Sequence, residues 1–451
     1  MSSISSSMNT TLSALQAQQA AIAVTSNNIA NANTEGYTRQ EVVISTSSSG
    51  TTTSSKRIYD RFVTNQVNSA NKDLGEYKAK SKYLDSIEVI FDESEGSGLS
   101  ETMSDFWSAW QDLVDTPSGA SERSALASAA DTLADLFNGM SSDLGDIQAG
   151  IDDDVAATVD AINEDVRQIA DLNQKIVRAV AAGQDAGTYQ DSVDVLVSDL
   201  SSLVDIKTYT SDNGQTCIQL TNGTPLVEGS TGWSLSTQTD TATGLRDVTW
   251  LDSQGNATVI TDTVSGGELG GELEVRDGDI PEYQDRLDEL AVSVMDAVNA
   301  LHTGGYDLNG DAGVSFFVGT GAADMAVNSA ILDDPELIAA ASSPTEASGD
   351  ASVATAIAEL QDGLLLDGKT STFSDYYSSL VTKVGTAVQT ADSLYSSQSD
   401  AVDLYKNLRD AVSSVSLDEE QTKLIMYQNA YEAAAKVMTA LDEILKTLIE
   451  M

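Results

Sequence analysis

The sequence is poor in the residues that carry out chemistry and in the charges that hold nucleic acid. Its 451 residues include one cysteine, Cys217, and one histidine, His302. A single cysteine excludes an intrachain disulfide, and the two residues together cannot complete an ordinary structural zinc site. Any Ser-His-Asp or Cys-His mechanism would have to use His302, and neither residue sits in a nucleophile motif. Basic residues are also scarce, with 23 Lys and Arg against 70 Asp and Glu, a formal net charge of −47. That excludes binding through phosphate neutralisation. No stretch reaches the ~18–20 apolar residues of a membrane span. The start has no basic residue before Arg39 and no continuous apolar run, which argues against a Sec-type signal peptide. What is present is 41% apolar content, enough for real cores in two or three domains.

The charge is unevenly placed. Residues 1–90 hold 8 basic and 7 acidic side chains, residues 405–451 hold 5 and 8, and the stretch between them holds 10 and 55. Self-repulsion opposes packing of like copies, so the near-neutral ends are the parts suited to crowding together. The first 34 residues carry no charged side chain. Met8, Leu15, Ile22 and Ile29 recur every seven residues, with Ile4, Thr11, Gln18 and Thr25 between them, which predicts a helix with a weak apolar stripe that orders only against partners. The C-terminus is stronger. Leu424, Tyr427, Tyr431, Ala434, Met438, Leu441, Leu445 and Leu448 alternate gaps of three and four, a heptad seam opened by a capping box at Ser416 to Glu419. Two terminal heptad helices favour mutual pairing.

Between the ends, the spacing predicts a mainly α fold with an inserted β-domain: terminal coiled-coil helices, a discontinuous helical bundle body and a small antiparallel β-domain. The expected division is 1–45 with 405–451 as the terminal assembly domain, 46–205 with 276–404 as the helical body, and 206–275 as the insert. Helices are predicted over 120–137 and 151–180. Asp152, Asp153 and Asp154 are read as favouring the N-terminal dipole of the second, and Asn173 falls on its seam. Strand-forming segments at Cys217–Leu220, Trp233–Leu235 and Val248–Leu251 are separated by turns such as Asn213-Gly214 and Asn222-Gly223. Helix resumes from Pro281 and stops at Gly304-Gly305. Asp307, Asn309 and Asp311 have the alternation of a calcium loop, but Val318 stands where the bidentate Glu should be, so an Asx turn is the expectation. Gly266 to Gly271 has no Lys-Ser/Thr after it and is not a phosphate loop.

Ser26-Asn27-Asn28-Ile29-Ala30-Asn31-Ala32-Asn33-Thr34-Glu35-Gly36-Tyr37 resembles the N-terminal signature of the bacterial flagellar rod, hook and hook-associated axial proteins. Its continuation Thr38-Arg39-Gln40 is similar to the hook-associated members of the hook–filament junction. Ser416 to Glu420 and Tyr427 to Val437 resemble the matching C-terminal motif, and Ile169 to Ile176, Gly266 to Asp279 and Tyr283 to Gly310 agree internally. The asparagine amides can bond between neighbouring copies or cap the helix, and Gly36 allows a backbone exit that a β-carbon would obstruct. The expected assembly residues are therefore Asn27, Asn28, Ile29, Asn31, Asn33, Gly36, Tyr37, Arg39 and Gln40. The resemblance implies that the C-terminal coiled-coil and chaperone segment comprises Leu424, Tyr427, Tyr431, Met438, Leu441, Leu445 and Leu448.

The resemblance implies a structural adaptor in the extracellular flagellum at the hook–filament junction, exported unfolded by the flagellar type III route and assembled as a ring through its terminal helices. The partners it implies are the hook protein, a second junction protein, further copies of the chain and a cytoplasmic export chaperone holding the C-terminal segment. It implies no cofactor, nucleic acid, membrane insertion or enzymatic activity. An additional outer domain carried by some relatives is expected to be missing, because 306–372 resembles the core. The alternatives are a hook or rod axial subunit, which would lack Thr38-Arg39-Gln40 and the 266–310 stretch, and a surface-displayed enzyme in the central region.

Overall fold

The computed structural model describes residues 2–47, 50–93 and 98–450. From the N-terminus, α1 (Ser2–Ala30) leads to a hairpin of β1 (Gln40–Ser47) and β2 (Gly50–Arg57), in register from Gln40 opposite Arg57 to Ser47 opposite Gly50. Four helices follow: α2 (Arg61–Ile90), α3 (Leu99–Asp115), α4 (Ala120–Ala181) and α5 (Gly187–Leu203). Next come two small antiparallel sheets. The first is β3 (Ile206–Thr210), β4 (Thr216–Leu220), β5 (Pro225–Glu228) and β6 (Thr231–Gly232); the second is β7 (Leu235–Thr239), β8 (Arg246–Leu251) and β9 (Ala257–Val259). The chain returns through α6 (Gly267–Glu274) and α7 (Ile280–His302). It then passes the short pair β10 (Phe317–Val318) and β11 (Ala326–Val327), α8 (Ser329–Asp333) and α9 (Ser352–Ala358), and ends in α10 (Phe373–Ser413) and α11 (Leu417–Glu450). The fold is mainly α with small antiparallel sheets, as the spacing predicted.

The core collects where distant segments meet. Phe106 and Trp110 on α3 are fully buried against Phe316, and Trp107 stacks on Phe373 with ring centroids 5.7 Å apart. Aromatic contacts of this kind add to the area they bury. Arg123, 1% exposed, ties the same region together by donating to the carbonyls of Pro117 and Ile338. It gave no signal in the sequence.

Three expectations are corrected. The two helices placed at 120–137 and 151–180 are one helix of 62 residues. Gly139, Gly145 and Gly150 do not interrupt it, since both flanking halves bury residues along one stripe, from Leu126 to Ile176, and packing outweighs the ~1 kcal/mol propensity cost of each glycine. Asp152 to Asp154 therefore lie in mid-helix, away from any N-terminal dipole. They hold cations instead: Asp152 takes Arg246 and Arg276, Asp153 takes Arg246, and Asp154 takes Lys82. The helix also does not wait for Pro281. It runs from α6 through a wide turn at Val275–Asp279, where the Ile280 N–H donates to the Val275 carbonyl five residues back, and so makes room for a proline with no N–H and a bulky ring. The hairpin at 40–57 was missed, although β-branched residues dominate Val42 to Ile44 and Thr51 to Thr53.

Asn173 does the work of a clamp. Fully buried, its amide donates to the carbonyls of Thr216 and Gly229 and accepts from the Thr216 N–H. Asn163, three turns earlier, makes the same reciprocal pair with Leu235. Two amides on α4 thus replace missing strand partners for both sheets. On α2, Gly75 allows backbone contact with the end of α5, because a β-carbon there would lie 2.0 Å from the Ser202 carbonyl oxygen. Gly75→Ala is expected to destabilise the body by about 2–3 kcal/mol through overpacking, read as a lower urea midpoint at unchanged slope.

Candidate assembly site at the junction of the two termini

The N-terminal signature and the C-terminal helix meet at Asn28. This side chain is fully buried, and all four hydrogen-bonding positions of its amide are used. Nδ2 donates to the Gln40 carbonyl at 2.9 Å and to Glu420 Oε2 at 2.8 Å. Oδ1 accepts from the Gln40 N–H at 3.0 Å and from the Tyr37 hydroxyl at 2.8 Å. Glu420, 1% exposed, is balanced by Lys423 at 3.0 Å, and Lys423 also reaches Glu41 at 3.6 Å. Burial, reinforced by Asp191, pushes the Tyr37 hydroxyl up to about 12, so it remains a donor.

The same junction is fastened to the end of α10 and to α5. The Arg39 N–H donates to the Ser413 carbonyl at 2.8 Å, and its guanidinium meets Glu419 at 3.3 Å. Glu419 is thus turned toward Arg39. Arg57, at the end of β2, holds Asp191 at 2.7 Å and Asp194 on α5 and donates to Thr38. Burial raises both carboxyls, and the Arg57 charge opposes that rise. Gly36 adopts φ +74°, and a β-carbon on it would fall 2.2 Å from Val195 Cγ2. Both the left-handed backbone and the close approach to α5 require glycine.

The other signature residues play local parts. Asn31 donates to the Asn27 carbonyl and side chain at 2.9 and 3.0 Å and accepts from the Thr34 hydroxyl, closing the end of α1. Ile29 is half-buried and Asn33 is exposed. Sequence reasoning missed Glu420, Lys423, Glu41, Arg57, Asp191 and Asp194. Only Glu420 lay inside a quoted motif, and its contact with Asn28 spans 392 positions, beyond any local pattern.

Because the end of α1 meets the start of α11, the two helices pair antiparallel. Leu424, Tyr427, Ala434, Met438, Leu441 and Leu445 are half-buried in the seam, while Tyr431 and Leu448 are exposed. Leu448 overhangs: equal rise from the Asn28–Glu420 contact uses up α1 at about residue 446. On α1 the deepest residues are Ala17, Ala21, Thr25 and Asn28, with Ile4, Met8, Leu15 and Ile22 half-buried. Leu12, Ile425, Val437, Ile444 and Ile449 face outward, Ile449 being 79% exposed.

The residues considered for chemistry are engaged elsewhere. His302 is buried, with Nδ1 on the Val314 carbonyl at 2.6 Å and Nε2 accepting from the Ala339 N–H at 2.8 Å. Burial pushes its imidazole down to about 4, so it is neutral. Cys217 is buried in β4. Asp307 Oδ1 accepts from the N–H groups of Asn309 and Asp311, the expected Asx turn. Among the described residues no cluster of three His, Cys, Asp or Glu side chains could hold a metal ion, and no helix is long and apolar enough to cross a membrane.

Comparison with known proteins agrees with this architecture. Residues 84–317 match the family described as flagellar hook-associated protein FlgK helical domain. Residues 8–38 match the flagella basal body rod protein family, and 411–451 match the C-terminal family of the flagellar basal body rod FlgEFG proteins. Flagellar hook-associated protein 1 of Bacillus subtilis is 31% identical over all of this chain and 98% of its own length. The Escherichia coli protein of that name is 27% identical over 99% of this chain and all of its own. The solved flagellar hook junction protein FlgK from Burkholderia pseudomallei superposes with a TM-score of 0.69 at 16% identity, covering 78% of this chain and all of that one, and so shares the fold. On the helical-domain match and the full-length similarity to the Bacillus subtilis protein, the chain belongs to the flagellar hook-associated protein FlgK family of flagellar structural proteins.

Proposed function

We propose that the chain is a structural adaptor subunit joining the flagellar hook to the filament, exported unfolded by the type III route and assembled as a ring through α1 and α11. The observation that carries this reading is the terminal helix pair: α1 has no charged side chain and α11 has 3 basic and 7 acidic ones, a net −4 in a chain of net charge −47, with Leu12, Ile425, Val437 and Ile444 turned outward. An exposed apolar face of this kind calls for a protein partner, and low charge lets identical copies supply it. The acidic body then faces solvent.

In this reading 1–45 with 405–451 is the assembly domain, 46–205 with 276–404 the body and 206–275 the outward insert. The partners are the hook protein, the second junction protein and neighbouring copies. Before assembly the segment from Leu424 to Leu448 is the natural hold for an export chaperone, as an amphipathic helix laid in a groove. The function is mechanical: it uses no cofactor and no catalytic residue, and both ring nitrogens of His302 are already committed.

In a strain lacking this chain, electron microscopy is expected to show hooks without filaments, with filament subunits lost to the medium. Complementation by a variant lacking residues 2–30 should leave a folded body that fails to restore filaments. Immunolabel along the whole hook, instead of in a short junctional band, would replace the adaptor reading with a hook subunit.

A further inference from the structure

The seam between α1 and α11 specifies contact but says little about register. On α1 its buried residues are small, Ala17, Ala21 and Thr25, and α11 repeats its apolar positions every seven residues from Leu424 to Leu445. Sliding one helix by a heptad, ~10 Å at 1.5 Å per residue, would bring apolar residues opposite apolar residues again. Residues 31–39 between α1 and β1 have the length to allow it, since nine residues can span ~30 Å. Among the described residues only one deeply buried contact between the two helices is polar, namely Asn28 with Glu420, 0% and 1% exposed. A heptad slip in one direction sets the Glu420 carboxylate opposite Ala21 and in the other carries it past the end of α1; in both, Glu420 loses its amide donor and Asn28 one of its two acceptors, at the cost of a buried hydrogen bond.

We propose that Asn28 is a register lock, a positioning residue whose pairing with Glu420 fixes where α1 lies along α11 and thereby which apolar side chains form the outer face. A single buried asparagine sets register in coiled coils at some cost in stability. Here the amide is also tied to β1 through the reciprocal bonds with Gln40, so the lock sets the pair relative to the hairpin as well. The signature asparagine thus acts within one chain. The proposal builds on the reading of the terminal pair as the assembly element, but its test does not depend on where the chain assembles.

Disulfide cross-linking of the purified full chain reads the register directly, because the only native cysteine, Cys217, is buried. Counting equal rise from the Asn28–Glu420 contact places Thr11 level with about residue 437, beside Met438. Thr11→Cys with Met438→Cys should cross-link in the native background, whereas Thr11→Cys with Leu445→Cys or with Tyr431→Cys should not. Adding Asn28→Val is expected to lower the first cross-link by about tenfold and to bring up one of the slipped pairs. Glu420→Gln, whose amide oxygen still accepts from Asn28, should keep the native pair. Retention of the native pair alone in Asn28→Val, or loss of every pair in it, overturns the lock, and so does absence of the Thr11–Met438 cross-link in the native background. A failed junctional localisation would instead overturn the adaptor function and leave this readout unchanged.

Discussion

Replacing Glu272 by glutamine is expected to stabilise the protein, by an amount that grows with pH. Glu272 lies on α6 where that helix is wedged against α2 and α4. It is 1% exposed, its Oε1 accepts from the Thr158 hydroxyl at 3.2 Å, and its Oε2 has no partner among the described residues. The charged and titratable groups around it are Lys82 and Tyr83 on α2, Asp154 on α4 and Glu268 on its own helix. Burial is the largest influence and pushes its carboxyl up to about 8 from an ordinary 4.5. Between those values the unfolded chain has released the proton and the folded chain keeps it, so wild-type stability falls as pH rises across that window and levels off above about 8. Glutamine does not titrate, and its amide occupies the place of the protonated acid. The two proteins should be equally stable near pH 4, and the variant should be ahead by about 4 kcal/mol at pH 8. Other raised carboxyls, such as Asp165 and Asp279, tilt both curves alike and cancel in the difference. Urea melts of both proteins from pH 4 to 9 measure it; a gap independent of pH would show that Glu272 is ionised in the folded protein.

Glu272 also marks the limit of what the sequence discloses. Periodicity reports which face of a helix is buried, and it found the α11 seam from Leu424 to Leu445. It picks out large apolar residues, however, and on α1 the deepest positions beside the expected Thr25 are Ala17 and Ala21, while Leu15 and Ile22 are only half-buried. The small residues let the backbones approach, and they look like spacers in a sequence. Local electrostatic rules failed at Asp152 to Asp154 for a related reason: a carboxylate run has the same appearance at a helix start as in mid-helix, and the arginines that claim it lie about a hundred positions away. Resemblance to the axial proteins located the signature, yet the partners that make it a site, Glu420 and Arg57 with its two aspartates, are set by tertiary folding alone. Asn173 lay between these cases. Its place on a seam was legible, while its role in holding β4 and the turn between β5 and β6 required the sheets to be seen folded.

Arg276→Leu is expected to cost about 3 kcal/mol, because it removes four charge-assisted hydrogen bonds and takes from Asp152 the more deeply buried of its two cations. Arg276 is 2% exposed and lies in the wide turn between α6 and α7. Its Nη1 donates to Asp152 Oδ1 at 2.8 Å and to the Arg246 carbonyl at 2.9 Å, while Nε and Nη2 grip both oxygens of Asp277 at 2.7 and 2.8 Å. Asp152 in turn accepts from the Arg246 N–H at 2.8 Å and from its guanidinium at 2.7 Å. Arg246 stands on β8, so this one joint connects the long helix, the turn that accommodates Pro281 and the inserted sheets. Leucine fills the volume but leaves Asp152 buried with only the partly exposed Arg246. Changing Asp152 to asparagine as well should restore part of the loss, since a buried charge left with one cation disappears, and the double variant should be more stable than the sum of the single effects predicts. The location of the damage is as diagnostic as its size. Hydrogen exchange should quicken first in β7, β8 and β9, which Arg246 and Asn163 fasten to α4, while α1 and α11 keep their protection. A loss spread evenly over the body, with strict additivity in the double variant, would mean that Arg276 contributes packing and that the joint does not hold the insert.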